Sequence, residues 1–306
     1  MKKLYTIIAL MFVFTISKAQ WTQVNTGLTS LGVDAIASSG TDIFAGTQSA
    51  GAGVFLSTNN GGTWSVVNTG ITNDTVLTFA VSGTNIFAGT YTGGVFLSTN
   101  NGGTWTAVNT GLTNLDITAL AISGTNIFAG TYGGGVFLST NNGGNWTAVN
   151  TGLSHLDVQT IAISGTNIFV GTYASGGVFL STNNGNSWTA VNTGLTNLNI
   201  NFITFSGTNI YAGTQGGGVF LSTNNGGNWS AVNTGLTGLT VYAIAISGTN
   251  IFAGTTVGVF LSTNNGGSWS AVNTGLTTTF VLALSINSTN IFAGTNGGGD
   301  FYSYTI

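Results

Sequence analysis

The sequence predicts an all-β fold, a seven-bladed β-propeller with four antiparallel strands per blade, and three observations carry that prediction. Trp21, Trp64, Trp105, Trp146, Trp188, Trp229 and Trp269 recur 40 to 43 residues apart, a period at which each unit buries its faces only against its neighbours. Between them lie short strand-like runs with no helical periodicity. The ends are complementary: the repeats begin with a lone fourth strand, Trp21 to Asn25, and finish after a third strand, Asp300 to Ile306, with no Trp following. Pairing these two completes the last blade, closes the ring with the N-terminal strand as a clasp and leaves no open edge. Residues 20–306 then form one domain of 287 residues, 41 for each of seven blades. An open β-solenoid shares the short strands and fixed period, but it needs distinct caps at its ends.

One unit, Leu115 to Asn150, justifies the blade strand by strand. Ile117 to Ser123 reads as a strand, Gly124-Thr125 as a two-residue turn of type II′ with Gly first, and Asn126 to Thr131 as the second strand. A Gly-rich loop, Tyr132 to Gly135, leads to the third strand, Val136 to Ser139. Thr140-Asn141-Asn142-Gly143-Gly144 then turns the chain into a fourth, Trp146 to Asn150. Weak alternation in Val136-Phe137-Leu138 fits a strand covered on both faces by neighbouring blades.

Residues 1–19 read as a secretory signal peptide: Lys2 and Lys3 precede an apolar run from Leu4 to Ile16, and Ser17-Lys18-Ala19 offers small residues for cleavage. The run is too short for a permanent membrane span, so the expectation is an exported protein with no membrane span: periplasmic, on the cell surface or released. Cleavage removes Lys2, Lys3 and Lys18, the only basic side chains in the chain. What remains charged is Asp34, Asp42, Asp74, Asp116, Asp157 and Asp300, with one His155, no Glu and no Cys.

That composition excludes several functions. Nucleic-acid binding draws most of its affinity from cationic side chains on phosphates, so no nucleic-acid partner is expected. Anionic substrates and lipid surfaces fail by the same argument. With no Cys or Lys, and one His without a visible Ser and Asp partner, nucleophilic catalysis has no constellation to use. No catalytic residues are assigned.

The turn between the third and fourth strands carries six copies of one pattern: Ser57, Asn59, Gly61, Trp64; Ser98, Asn100, Gly102, Trp105; Ser139, Asn141, Gly143, Trp146; Ser181, Asn183, Gly185, Trp188; Ser222, Asn224, Gly226, Trp229; and Ser262, Asn264, Gly266, Trp269. This resembles the Asp-box, or BNR repeat, Ser-x-Asp-x-Gly-x-x-Trp, with Asn in the Asp position. Asn keeps the local hydrogen bonding and turn geometry without burying six charges. The resemblance implies a propeller of the kind found in sialidases, other glycoside hydrolases, sorting-receptor ectodomains and photosystem assembly factors, with a structural role for the box. Sialidases grip a carboxylate with three arginines, and this chain has no arginine.

The repeats differ from one another chiefly in two loops that a propeller places on one face. After the second strand stand Gln48, Tyr91, Tyr132, Tyr173, Gln215, Thr256 and Asn296; at the start of the first stand Gly32, Thr75, Asp116, Asp157, Asn199, Thr240 and Phe280. Tyrosines in three adjacent blades, beside Asp116, Asp157, His155, Asn199 and Gln215, supply rings for the apolar face of a sugar and polar groups for its hydroxyls. The expected partner is a neutral glycan, with an extracellular protein as the alternative and a glycosidase using Asp116 and Asp157 third. Packing of the tyrosines is the competing explanation for their recurrence. No cofactor is expected, although Asp116, Asp157 and Asn199 offer hard oxygen ligands of the type calcium takes. A metal role for His155 lacks the further His or Cys ligands that zinc needs.

Overall fold

A computed structural model describes residues 20–48, 53–72, 75–287 and 290–303. The signal segment, Asp74 and the last three residues of the expected final strand lie outside the described residues. The described chain forms seven four-stranded antiparallel sheets. Blades 1 to 7 begin at Val33, Val76, Ile117, Val158, Ile200, Val241 and Val281. In blades 1 to 6 the strands pair in chain order. In blade 7 the outermost strand is the N-terminal one, Thr22–Gln23, paired with Gly299–Ser303 through Thr22↔Tyr302 and Gln23↔Phe301.

Blade 3 shows why the sequence folds this way. Ile117–Ser123 and Asn126–Thr131 pair in a hairpin closed by Ser123↔Asn126, and Gly124 takes φ +60°, the conformation a type II′ turn demands at that place. Gly135–Ser139 follows as the third strand. The fourth is shorter than expected, Thr147–Ala148 instead of Trp146 to Asn150, and both its residues are exposed. Trp146 leaves the ladder because it braces the preceding blade: its backbone N–H donates to Thr110 O at 2.9 Å and its indole Nε1–H to Val108 O at 2.7 Å. Asn150 instead ties the blade inward, accepting from Val136 N–H at 2.7 Å and donating to Gly134 O at 3.0 Å. The same shortening reduces Trp21 to Asn25 to Thr22–Gln23.

Apolar clusters lie between successive blades. Between blades 3 and 4, Phe128 and Val136 pack against Leu153, Val158, Ile161, Phe179 and Trp188. Burying each Phe contributes about 1.5–3 kcal/mol, which repetition around the ring multiplies.

The Ser-x-Asn-x-Gly turns are held from the serine outward. Ser139 Oγ donates to Asn141 Oδ1 at 2.9 Å and accepts from Gly143 N–H at 2.9 Å. Asn141 Oδ1 accepts in turn from Asn145 N–H at 2.9 Å. Asn142, at φ +56°, supplies the left-handed step that Asn tolerates.

Candidate binding site

The two variable positions in the blade are backbone partners. Tyr91 N–H donates to Thr75 O at 3.0 Å, Tyr132 N–H to Asp116 O at 3.1 Å, Tyr173 N–H to Asp157 O at 2.8 Å and Gln215 N–H to Asn199 O at 3.0 Å. The start of the first strand and the end of the second thus present adjacent side chains at one rim of each sheet. Further bonds tie neighbouring blades at this rim: Asp116 Oδ1 accepts from Thr92 N–H at 2.7 Å, and Asn199 Oδ1 from Ser175 N–H at 2.8 Å.

Tyr91, Tyr132, Tyr173, Asp116 and Gln215 meet in one pocket of about 590 Å³ at the mouth of the central channel. Tyr91 and Tyr132 are 53% and 54% exposed, and Tyr173 is less so. His155, Asp157 and Asn199 stand outside its lining. His155 turns away: its Nδ1 lies 3.1 Å from Ser154 Oγ and its ring 6.4 Å from that of Phe179. The expected polar cluster is therefore divided, with Asp116 and Gln215 in the pocket and the other three around it.

The remaining lining was missed from sequence. Leu77, Thr118, Gln159, Asn201 and Tyr242 form the pocket's inner wall, and each is the second residue of its blade's first strand. In blade 3, Ile117 pairs with Thr131 and Ala119 with Gly130, so Thr118 is an unpaired bulge residue aimed at the axis. The same shift recurs in all seven blades and produces a ring of Asp34, Leu77, Thr118, Gln159, Asn201, Tyr242 and Leu282. Variation at this position was visible in the sequence and was the available clue. Beneath the ring a channel of about 340 Å³ runs between Ala and larger apolar side chains such as Phe79, Leu120 and Ile161.

The chemistry of the wall is uncharged over most of its extent. Thr118 donates to Gly130 O at 3.1 Å and also to Val158 O, and Asn201 Nδ2 donates to Val241 O at 3.1 Å, so both also serve the scaffold. Tyr242 packs on Phe280 with ring centres 5.3 Å apart, and burial, followed by the nearby Tyr173, raises its pKa. Asp34, next to Leu77 in the same ring, accepts from Gln48; burial outweighs that bond and pushes its carboxyl up to about 6. Among the described residues no three His, Cys, Asp or Glu gather closely enough to hold a metal ion. The carboxylate of Asp116 and the amide of Asn199, offered by sequence as calcium ligands, are engaged with backbone N–H groups. Among the described residues no helix is long and apolar enough to cross a membrane.

Comparison with known proteins agrees on the architecture. The family model described as "DUF6242 beta propeller domain" matches residues 122–238. No curated protein matches the chain. Among solved structures, the extracellular domain of the one component system BT4673 from B. thetaiotaomicron superimposes with a TM-score of 0.77 at 18% identity, over 93% of this chain and 40% of that one. YCF48 bound to D1 peptide gives 0.74 at 12% identity, over 94% and 97%. The GH74 xyloglucanase from Xanthomonas campestris gives 0.73 at 16%, over 94% and 54%. The chain thus spans about 40% of the BT4673 domain and about half of the xyloglucanase. At these identities the likeness is one of fold, the seven-bladed propeller.

Proposed function

We propose that the chain is an exported, non-catalytic binding module that takes a neutral glycan in the pocket at the channel mouth. The observation that carries this reading is the convergence of Tyr91, Tyr132 and Tyr173 with Asp116, Gln159 and Gln215 in one open cavity with no cationic side chain. Tyrosine rings offer flat apolar surface for the C–H face of a pyranose, and the amides and carboxylate offer donors and acceptors to its hydroxyls. A concave, largely preformed site with a few convergent polar groups is the usual form of a small-ligand pocket. The absence of Lys and Arg from residues 20–306 suits an uncharged ligand and gives no grip on sulfated or uronic sugars.

A peptide or protein ligand is the second reading, favoured by exposed leucines. Leu31, Leu115, Leu156 and Leu239 are 38–41% exposed and recur at the starts of blades on the same face, and YCF48 was solved with a peptide bound. Glycoside hydrolysis is disfavoured by the pocket's content: the general scheme needs two carboxyl groups flanking a bond, whereas Asp116 is the one carboxylate in the lining.

The test is an array of neutral and acidic glycans probed with residues 20–306, repeated at raised salt. Binding confined to neutral glycans and insensitive to salt is the expected result. Selective binding of acidic glycans, or no binding by folded protein, would overturn the reading, and peptide capture in the latter case would transfer it to the second.

A further inference from the structure

The third strand of blade 7, Gly299–Ser303, departs from its counterparts at one informative place. Where blades 1 to 6 carry Val54, Val95, Val136, Val178, Val219 and Val259, it carries Asp300. This side chain is fully buried, and neither of its carboxyl oxygens has a hydrogen-bond partner. Pleating sets its direction. Phe301 packs between blades 6 and 7, Tyr302 packs between blades 7 and 1, and Asp300, two residues from Tyr302, shares the latter's face. In blade 3 the equivalent Val136 lies against Leu153 and Val158 of the next blade; at the closing seam those places are held by Leu28 and Val33.

The main chain of the same residue fastens the clasp. Asp300 N–H donates to Asn25 Oδ1 at 2.8 Å, and Asp300 O accepts from Val24 N–H at 3.0 Å. We propose that Asp300 makes closure of the ring pH-sensitive. Protonated, it occupies the apolar seam while its backbone holds the N-terminal strand; ionised, it must reach water, which breaks the bonds to Val24 and Asn25 and lifts Trp21 to Asn25 from the blade.

The surroundings give an ionised Asp300 no relief. The N-terminal strand and the strands Val281–Asn287 and Asn290–Thr295 contain no titratable side chain. Its own strand adds no cation: Tyr302 stacks on Phe292 with ring centres 5.6 Å apart. Across the seam, Val33–Ser39 and Asp42–Thr47 bring Asp34, which accepts from Gln48, and Asp42, which accepts from Asn101 Nδ2 at 2.5 Å, both of the wrong sign. A buried charge without a partner is far costlier than a buried neutral acid. Burial accordingly pushes the carboxyl from 3.8 up to about 8. Because the value in the closed ring is the higher one, the closed form holds a proton that the open form releases. Closure is strongest below about pH 4, weakens as pH rises to about 8, and levels off above that.

The test is amide hydrogen exchange at Val24 and at residue 300 between pH 5 and 8, with the intrinsic pH dependence divided out. It is run on Asp34→Asn protein, which removes the other raised carboxyl, with and without Asp300→Val. Protection of both amides should fall about tenfold per pH unit with Asp300 present, stay level in Asp300→Val, and stay level at Val149, the blade 3 counterpart of Val24. Asp300→Asn, which keeps the shape and cannot ionise, should also be level and serves if the valine variant does not fold. An equal slope with and without the carboxyl, or an equal fall at Val149, would overturn the proposal.

Discussion

Replacing Ser139 by Ala removes a single oxygen from a buried turn, and the structure sets the cost. Ser139 is 0% exposed. Its hydroxyl donates to Asn141 Oδ1 at 2.9 Å and accepts from the buried Gly143 N–H at 2.9 Å. Losing the first bond costs about 1 kcal/mol, and stranding the Gly143 N–H away from water costs about 1–3 kcal/mol more. A total of about 2–4 kcal/mol is expected, a large part of the stability of an ordinary domain. Thr104→Ala is the control: its exposed hydroxyl accepts from Asn100 Nδ2 at 3.0 Å, and its loss should stay within about 0.5 kcal/mol. Urea unfolding of the three proteins at one pH, read as midpoint shifts at constant slope, measures both values. Ser139→Ala unfolding at the wild-type midpoint would refute the view that the serine organises the turn, and so would a Thr104→Ala loss of equal size.

Two further outcomes follow from single residues. Gly111 sits at φ +91°, and a Cβ there would lie 2.2 Å from Trp146 O; Gly111→Ala should lower the thermal midpoint well beyond Gly124→Ala, which has open space around it and carries only the left-handed penalty of about 1–2 kcal/mol. Asp34, pushed up to about 6 by burial, makes the folded state bind a proton more tightly than the unfolded one. Its contribution to stability should therefore fall as pH rises from about 4 to about 6 and flatten above; in Asp300→Asn protein, where the other raised carboxyl is gone, Asp34→Asn should remove the remaining slope in thermal melts.

Much of the architecture was legible because the chain states it repeatedly. The Trp spacing gave the blade count, Gly124-Thr125 gave the hairpin, and the lone Trp21 strand gave the closure. The fourth strands were overdrawn, because a Trp beside a strand reads as part of it, while Trp146 has its hydrogen bonds in the previous blade. The pocket was half legible. Tyr91, Tyr132, Tyr173, Asp116 and Gln215 stood out as differences between near-identical repeats. Thr118, Gln159, Asn201 and Tyr242 vary as well, but strict alternation assigns no special direction to the second residue of a strand, and only the bulge points it to the axis. His155 showed the opposite failure: adjacency in sequence to Asp157 says nothing about which way an imidazole turns. Asp300 was visible as the one departure from six valines, but its meaning required knowing that it lies at the seam.

The central claim is that the tyrosine-rimmed pocket binds a neutral glycan, and one titration tests it most directly. The strongest array ligand is titrated calorimetrically into residues 20–306 and into the Tyr91→Ala, Tyr132→Ala, Tyr173→Ala variant, with matching far-ultraviolet spectra confirming that both are folded. At about 1 kcal/mol for each ring contact, the triple variant should bind about 100-fold more weakly. Equal affinity in the two proteins would contradict the account by placing the glycan elsewhere on the propeller.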